Sequence, residues 1–226
     1  SVPQPEVNIG TLGHVDNGKS TLVEALTGQW TARHSEELKR GITIRIGYAD
    51  AMFYKCEKCG VYGNSETCNQ CGSPATFLRA VSFVDSPGHH SLMVTMLSGA
   101  ALMDGALLVL SATEPCPQAQ DREHLAAAEI TGINKLLIVQ NKIDVVERDQ
   151  IIQRYHEIQD FIQGSIAEPA PIIPVSAQRA VNIDQVIEMI EKIIPTPPRE
   201  DQKPPLMPIL RSFDVNKPGT PADEIL

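Results

Sequence analysis

Residues 13–21 read Gly-His-Val-Asp-Asn-Gly-Lys-Ser-Thr, so Gly13, Gly18, Lys19 and Ser20 fill every fixed position of the pattern G-x-x-x-x-G-K-[ST]. The chemistry of such a loop is phosphate binding. Backbone N–H groups and the N-terminus of a following helix converge on one anion. Lys19 adds a point charge for the β- and γ-phosphates, and the Ser20 hydroxyl can ligate Mg²⁺. Asp16, Asn17 and Thr21 complete the stretch expected to wrap the phosphates.

Two later segments address the base. Asn141-Lys142-Ile143-Asp144 follows a strand-like run. A carboxylate such as Asp144 can accept both N1–H and N2–H of guanine, a donor pair that adenine lacks on that edge. The stem of Lys142 can cover one face of the base. Ser176-Ala177-Gln178 follows the next strand, where small residues let a backbone N–H approach the guanine O6. Asp85-Ser86-Pro87-Gly88-His89 ends another strand. Asp85 can hold a Mg²⁺-bound water, the Gly88 N–H can bond the γ-phosphate only while it exists, and His89 can orient an attacking water. Thr43, in Arg40-Gly41-Ile42-Thr43, can offer its hydroxyl to Mg²⁺ and its N–H to the γ-phosphate. Lys19, Thr43, Asp85 and His89 are therefore the candidate catalytic set. Ser20, Thr43 and (through water) Asp85 are the candidate Mg²⁺ ligands.

A second chemistry lies in the cysteines. Cys56-x-x-Cys59 and Cys68-x-x-Cys71 are matching half-sites, each followed by a glycine, Gly60 and Gly72. Four thiolates on two tight turns suit tetrahedral Zn²⁺ with no open position, a structural site. Free or redox-active thiols and an iron–sulfur centre are the alternatives. Cys116 lies between two prolines and reads as a free thiol.

These groups need a scaffold of alternating strands and helices. Apolar, β-prone runs at Val7 to Leu12, Ile44 to Tyr54, Thr76 to Asp85, Gly105 to Ser111, Lys135 to Gln140 and Pro171 to Val175 read as strands. Helical patterns follow from Thr21, around 90–101, and at Gln118 to Thr131, Asp149 to Gln163 and Asn182 to Ile194. The alternation predicts an α/β fold, a mostly parallel sheet with helices on both faces. Six prolines between 195 and 208 mark an interdomain linker, and Leu206 to Val215 reads as the first strand of a further domain. Expected boundaries are a domain over 1–195 with an insert at 55–73, a linker over 196–205 and the start of a β-barrel over 206–226.

The totals narrow the classes. Across 226 residues, 42% apolar content supports a core, but only 4% is aromatic, so aliphatic residues must fill it. A net charge of −9 argues against a general basic surface for nucleic acid. No apolar run reaches transmembrane length and no signal peptide opens the chain, so a cytoplasmic protein without a membrane partner is expected. Ser1 points to a processed or trimmed start, and the short stretch after the linker to a piece of something longer.

With these residues in view, the chain resembles the Ras-like translational GTPases, and within them the gamma subunits of archaeal and eukaryotic translation initiation factor 2. The resemblance rests on Gly13 to Asp16, Ser35 to Thr43, the four-cysteine insert, Asp85-x-Pro87-Gly88-His89, Met96 to Asp104, Asn141 to Asp144, Pro171 to Ala177 and Arg211 to Gly219. The insert and the run from Phe213 separate it from the elongation factor Tu type. At Asn17 relatives usually carry histidine; the loop backbone does most of the binding, so nucleotide binding is expected to survive. The resemblance implies a Ras-like P-loop GTPase domain that binds GTP or GDP, Mg²⁺ and Zn²⁺. It implies alpha and beta subunits as partners, with beta on this domain, and delivery of initiator methionyl-tRNA to the small ribosomal subunit by the full-length protein. Slow hydrolysis is expected without an activating partner, since no arginine in the motifs is placed as a finger. A binding module that hardly turns over, and an elongation-type or selenocysteine-specific carrier, are the rival readings.

Overall fold

A computed structural model describes residues 3–28, 47–85 and 103–198. Seven strands form one sheet: β1 (Val7–Leu12), β2 (Gly47–Lys55), β3 (Tyr62–Gly63), β4 (Thr76–Asp85), β5 (Gly105–Ser111), β6 (Leu136–Asn141) and β7 (Ile172–Pro174). Their order is β3-β2-β4-β1-β5-β6-β7. From β4 to β7 the neighbours are parallel. At the other edge β2 runs antiparallel to both β4 and β3. The sheet is thus mixed, as a mostly parallel α/β fold allows. The reversal belongs to β2 and β3, which carry the cysteine insert.

Among the described residues four α-helices cover it: α1 (Lys19–Thr27), α2 (Ala119–Thr131), α3 (Arg148–Ile162) and α4 (Ile183–Ile193). The apolar stripe of α4, Ile183, Val186, Ile187 and Ile190, repeats at helical spacing and is buried. It packs with Leu22, Val23 and Leu26 of α1 against one face of the sheet. Leu125 and Ala128 of α2 and Ile158 and Ile162 of α3 pack against the other. All seven residues of β5 are buried, as a strand covered on both faces requires.

Among the described residues the expected strands and helices are present with ends shifted by a few residues, and the two-residue β3 was not expected. β6 gains Asn141, because its pairing with Ser111 of β5 runs one residue further. α1 starts at Lys19, where Gly18 in the left-handed region caps it. One buried polar tie shapes the end of α4. Arg79 of β4 donates to Glu191 at 2.7 Å, to the Ile194 carbonyl at 2.7 Å and to Thr196 at 3.2 Å. Thr196 in turn donates to Glu6 at 3.1 Å, so the chain just after α4 is tied to the residue that precedes β1. The expected helix at 90–101, the linker beyond 198 and the strand Leu206 to Val215 lie outside the described residues.

Candidate functional site

The phosphate loop leaves the carboxyl end of β1, beside β4 and β5, where chain connections diverge to opposite sides of the sheet. Open α/β sheets bind ligands at that crevice. Gly13 has φ +121°, and a Cβ there would collide with the Val109 carbonyl oxygen. Gly18 has φ +80°, and a Cβ would stand 2.6 Å from Asn141 Nδ2. Both positions therefore demand glycine. A short 3-10 turn, Val15–Asn17, joins them. Lys19 is buried, and its ammonium donates to the carbonyls of Gly13 at 2.6 Å and His14 at 3.3 Å. Ser20, on the first turn of α1, is exposed.

The segments expected to read the base stand at the ends of β6 and β7, and one residue joins them to the phosphate loop. Asn141 donates through Nδ2 to the Asn17 carbonyl at 2.9 Å and accepts the Ala177 N–H on Oδ1 at 3.0 Å. Lys142 follows in the left-handed region, φ 67°, which turns the chain so that Asp144 faces the same end. Ser176 is fully buried, and its hydroxyl accepts the Arg179 N–H at 3.2 Å. The Ser176 hydroxyl also holds the Asp144 carboxylate below its ordinary range, with Arg179 helping from 3.4 Å. An ionised acceptor is what a guanine N–H pair requires. Gln178 is exposed beside Ala177.

Asp85 ends β4 with its backbone level with Thr11 of β1. Thr43, Gly88 and His89 lie outside the described residues.

Sequence reasoning missed two further groups at this site. Asn17 turns its amide inward, donating to the Val109 carbonyl at 2.8 Å and approaching Asp121 at 3.5 Å. Asp121 accepts the Gln118 N–H at 2.9 Å, closing the start of α2. One helical turn on, His124 accepts the Gly13 N–H on Nδ1. The capping spacing Gln118–Asp121 was available in sequence; the reach of Asp121 and His124 to the phosphate loop was not.

The cysteine cluster is built from two connections: Cys56 and Cys59 lie between β2 and β3, Cys68 and Cys71 between β3 and β4. Both half-sites have one geometry. Gly60 N–H bonds the Cys56 carbonyl at 2.8 Å and Gly72 N–H the Cys68 carbonyl at 2.9 Å. Cys56 N–H bonds Val61 and Cys68 N–H bonds Ser73, again five residues ahead in both. The four sulfurs lie within 4.8 Å of one another, with Cys56–Cys71 at 3.5 Å and Cys59–Cys68 at 3.4 Å. A tetrahedral ion with bonds of about 2.3 Å spaces its sulfurs by about 3.8 Å, so the donor set fits. Its electrostatics fit as well. Bonds from Ser73 bring Cys71 down to about 6, and backbone N–H groups of Cys71 and Gln70 lower Cys68. Cys59 moves the other way, to about 12: the Val61 backbone pulls it down, but desolvation and the neighbouring thiols outweigh that pull. Sulfurs this close cannot all ionise without a cation among them. The insert meets the start of β4, roughly 26 Å along β2 from Asp85 at the rise of a strand. It rests on the end of α1 through Asn64, which donates to the Ala25 and Leu26 carbonyls at 3.0 and 3.1 Å.

The comparisons agree with this geometry. The sequence profile of the elongation factor Tu GTP binding domain matches residues 4–196. The chain belongs to this family of GTP-binding domains. Within it, the chain is 60% identical over 228 residues to the translation initiation factor 2 subunit gamma of Archaeoglobus fulgidus, spanning 100% of this chain and 54% of that protein. It is 56% identical over 223 residues to the corresponding subunit of Pyrococcus furiosus, spanning 99% and 54%. Among solved structures, the elongation factor SelB of Methanococcus maripaludis in complex with the GTP analogue GppNHp superposes with a TM-score of 0.62 at 26% identity, over 85% of this chain and 34% of that one. The chain thus spans about half the length of the curated relatives it matches. Among the described residues, no helix is long and apolar enough to cross a membrane.

Proposed function

We propose that this chain is the GTPase domain of a translation initiation factor 2 gamma subunit. The observation that carries the reading is Asn141, which ties a phosphate loop to two base-reading segments at one end of the sheet. Loop backbone from Asp16 to Thr21, with Lys19, takes the phosphates. Asp144 accepts the guanine N–H pair, Lys142 covers the base, and the Ala177 N–H region with Ser176 and Gln178 bounds its far edge. Mg²⁺, held by Ser20 and Thr43 and by Asp85 through water, supplies charge for the β- and γ-phosphates. His89 orients the attacking water and Gly88 reports the γ-phosphate. The cysteines Cys56, Cys59, Cys68 and Cys71 hold a structural Zn²⁺. Residues 1–195 form the GTPase domain, 196–205 a linker and 206–226 the beginning of a β-barrel. In the full-length, cytoplasmic protein the domain works with alpha and beta subunits, beta docking here, to bring initiator methionyl-tRNA to the small ribosomal subunit.

Calorimetry with GDP and ADP tests the nucleotide part: GDP should bind, ADP should not, and Asp144→Asn should weaken GDP by about tenfold or more while admitting xanthosine diphosphate. Unchanged GDP affinity in that variant sinks the assignment of Asp144. Unassisted turnover should stay below about 10⁻² s⁻¹. Titration of the GDP-loaded protein with an initiation-factor beta subunit tests the partner. Micromolar or tighter binding supports the gamma reading; GDP retention without beta binding favours an elongation-type carrier, the class of the solved SelB structure.

A further inference from the structure

The Gly13 residue is pinned at three points. Its Cα lies against the Val109 carbonyl with no room for a side chain. Its carbonyl receives the Lys19 ammonium at 2.6 Å. Its N–H goes to neither the loop nor solvent but to Nδ1 of His124, 111 residues along the chain.

That imidazole is committed to one form. An Nδ1 that accepts leaves the proton on Nε2, so the ring is the neutral Nε2–H tautomer. Burial, with the charges of Lys19 and His14 nearby, brings His124 down to about 4 and keeps it neutral. A leucine of similar bulk would satisfy the packing but leave the Gly13 N–H buried without an acceptor. The Gly13 peptide would then be free to rotate, and the carbonyl on its other side holds Lys19.

We propose that His124 is a positioning residue for nucleotide binding: its Nδ1 fixes Gly13, and through the Gly13 carbonyl it sets where the Lys19 ammonium stands when a phosphate arrives. The inference rests on the phosphate-binding reading above. It assigns α2 a part in that site although His124 touches no ligand. It also predicts which replacement works. An asparagine oxygen falls where Nδ1 stands; a glutamine oxygen falls near the Nε2 position.

The test is dissociation of a fluorescent GDP from the full-length protein carrying His124→Leu, His124→Asn or His124→Gln. His124→Leu and His124→Gln should release GDP faster by about tenfold or more, the scale of a buried N–H left without its acceptor, and His124→Asn should stay within about threefold of wild type. Hydrogen exchange at the Gly13 amide in the nucleotide-free protein gives a readout independent of binding: slow in wild type and His124→Asn, faster in the other two. Equal GDP release in all variants overturns the proposal. So does release that tracks thermal stability with no advantage for asparagine. If His124→Leu fails to fold, the asparagine–glutamine pair decides alone. A wild-type protein that does not hold GDP overturns the nucleotide reading itself, which distinguishes that failure from this one.

Discussion

The phosphate loop and the cysteine insert are both glycine-turned loops at strand ends, yet they are held in opposite ways. The ties that shape the insert's half-sites are short in sequence: glycine N–H to cysteine carbonyl, cysteine N–H to a carbonyl five residues on, sulfur to sulfur. The phosphate loop is held from afar, by the Val109 carbonyl, His124 and Asn141, between 92 and 124 residues away. A short insert has no core of its own, and its four thiols form a donor set through which a metal would supply the cohesion. A loop on a parallel sheet draws on strands and helices of the whole domain. One region should therefore fail locally, the other together with the fold.

The largest effect expected from this contrast comes from chelation. Stripping the metal should speed hydrogen exchange at Gly60 and Gly72 by about a hundredfold or more while GDP affinity moves by less than about threefold. GDP affinity that falls with the metal would erase the contrast. Gly13→Ala attacks the other region. A Cβ at φ +121° against the Val109 carbonyl should cost GDP binding about a hundredfold, with the metal content unchanged.

A pH series sharpens the long-range side. His124 is lowered to about 4 in the fold, against 6.5 for an ordinary histidine. Between those values the unfolded chain binds a proton that the folded chain refuses. The stability this group contributes is thus complete above pH 6.5, is lost as pH falls towards 4, and amounts to about 3 kcal/mol. Urea unfolding of wild type and His124→Asn across that range isolates it: the wild-type curve should fall more steeply. Parallel curves would show that His124 is not the titrating group.

The smallest effect concerns Asn17. Asn17→Ala leaves the Val109 carbonyl without its side-chain donor. It should lower stability by about 1–2 kcal/mol in thermal unfolding and leave the metal site untouched. A loss as large as that of Gly13→Ala would mean the side chain does more than close the loop onto β5.

Much of the scaffold was legible because its signals are local. The β4 and β5 ranges read from sequence match the observed bounds: β5 is a nearly continuous apolar run, and β4 is a β-prone run that stops at Asp85 before Ser-Pro-Gly. The stripe on α4 was equally plain, and the two half-sites announced a four-thiol cluster by spacing alone. The candidate site was legible as motifs but not as a structure. Asn141 reads as part of a base-recognition tetrapeptide; in the fold it is a clip whose two ends grip different loops. Asp121, His124 and Arg79 belong to no motif of the sequence, yet all three are buried. Periodicity tells which face a residue occupies, not which polar group from a distant segment waits there.

Sequence by itself determined the element types, the phosphate and base motifs and the thiol cluster, because each depends on a few neighbouring residues and on backbone propensity. Tertiary structure alone decided that β2 turns antiparallel and carries the cluster away from Asp85, and that the Asn17 amide points inward. It also decided that α2 lends an imidazole to the phosphate loop. Each of these is a contact between residues far apart in the chain. Its free energy exists only once the intervening loops have closed and buried the groups it joins.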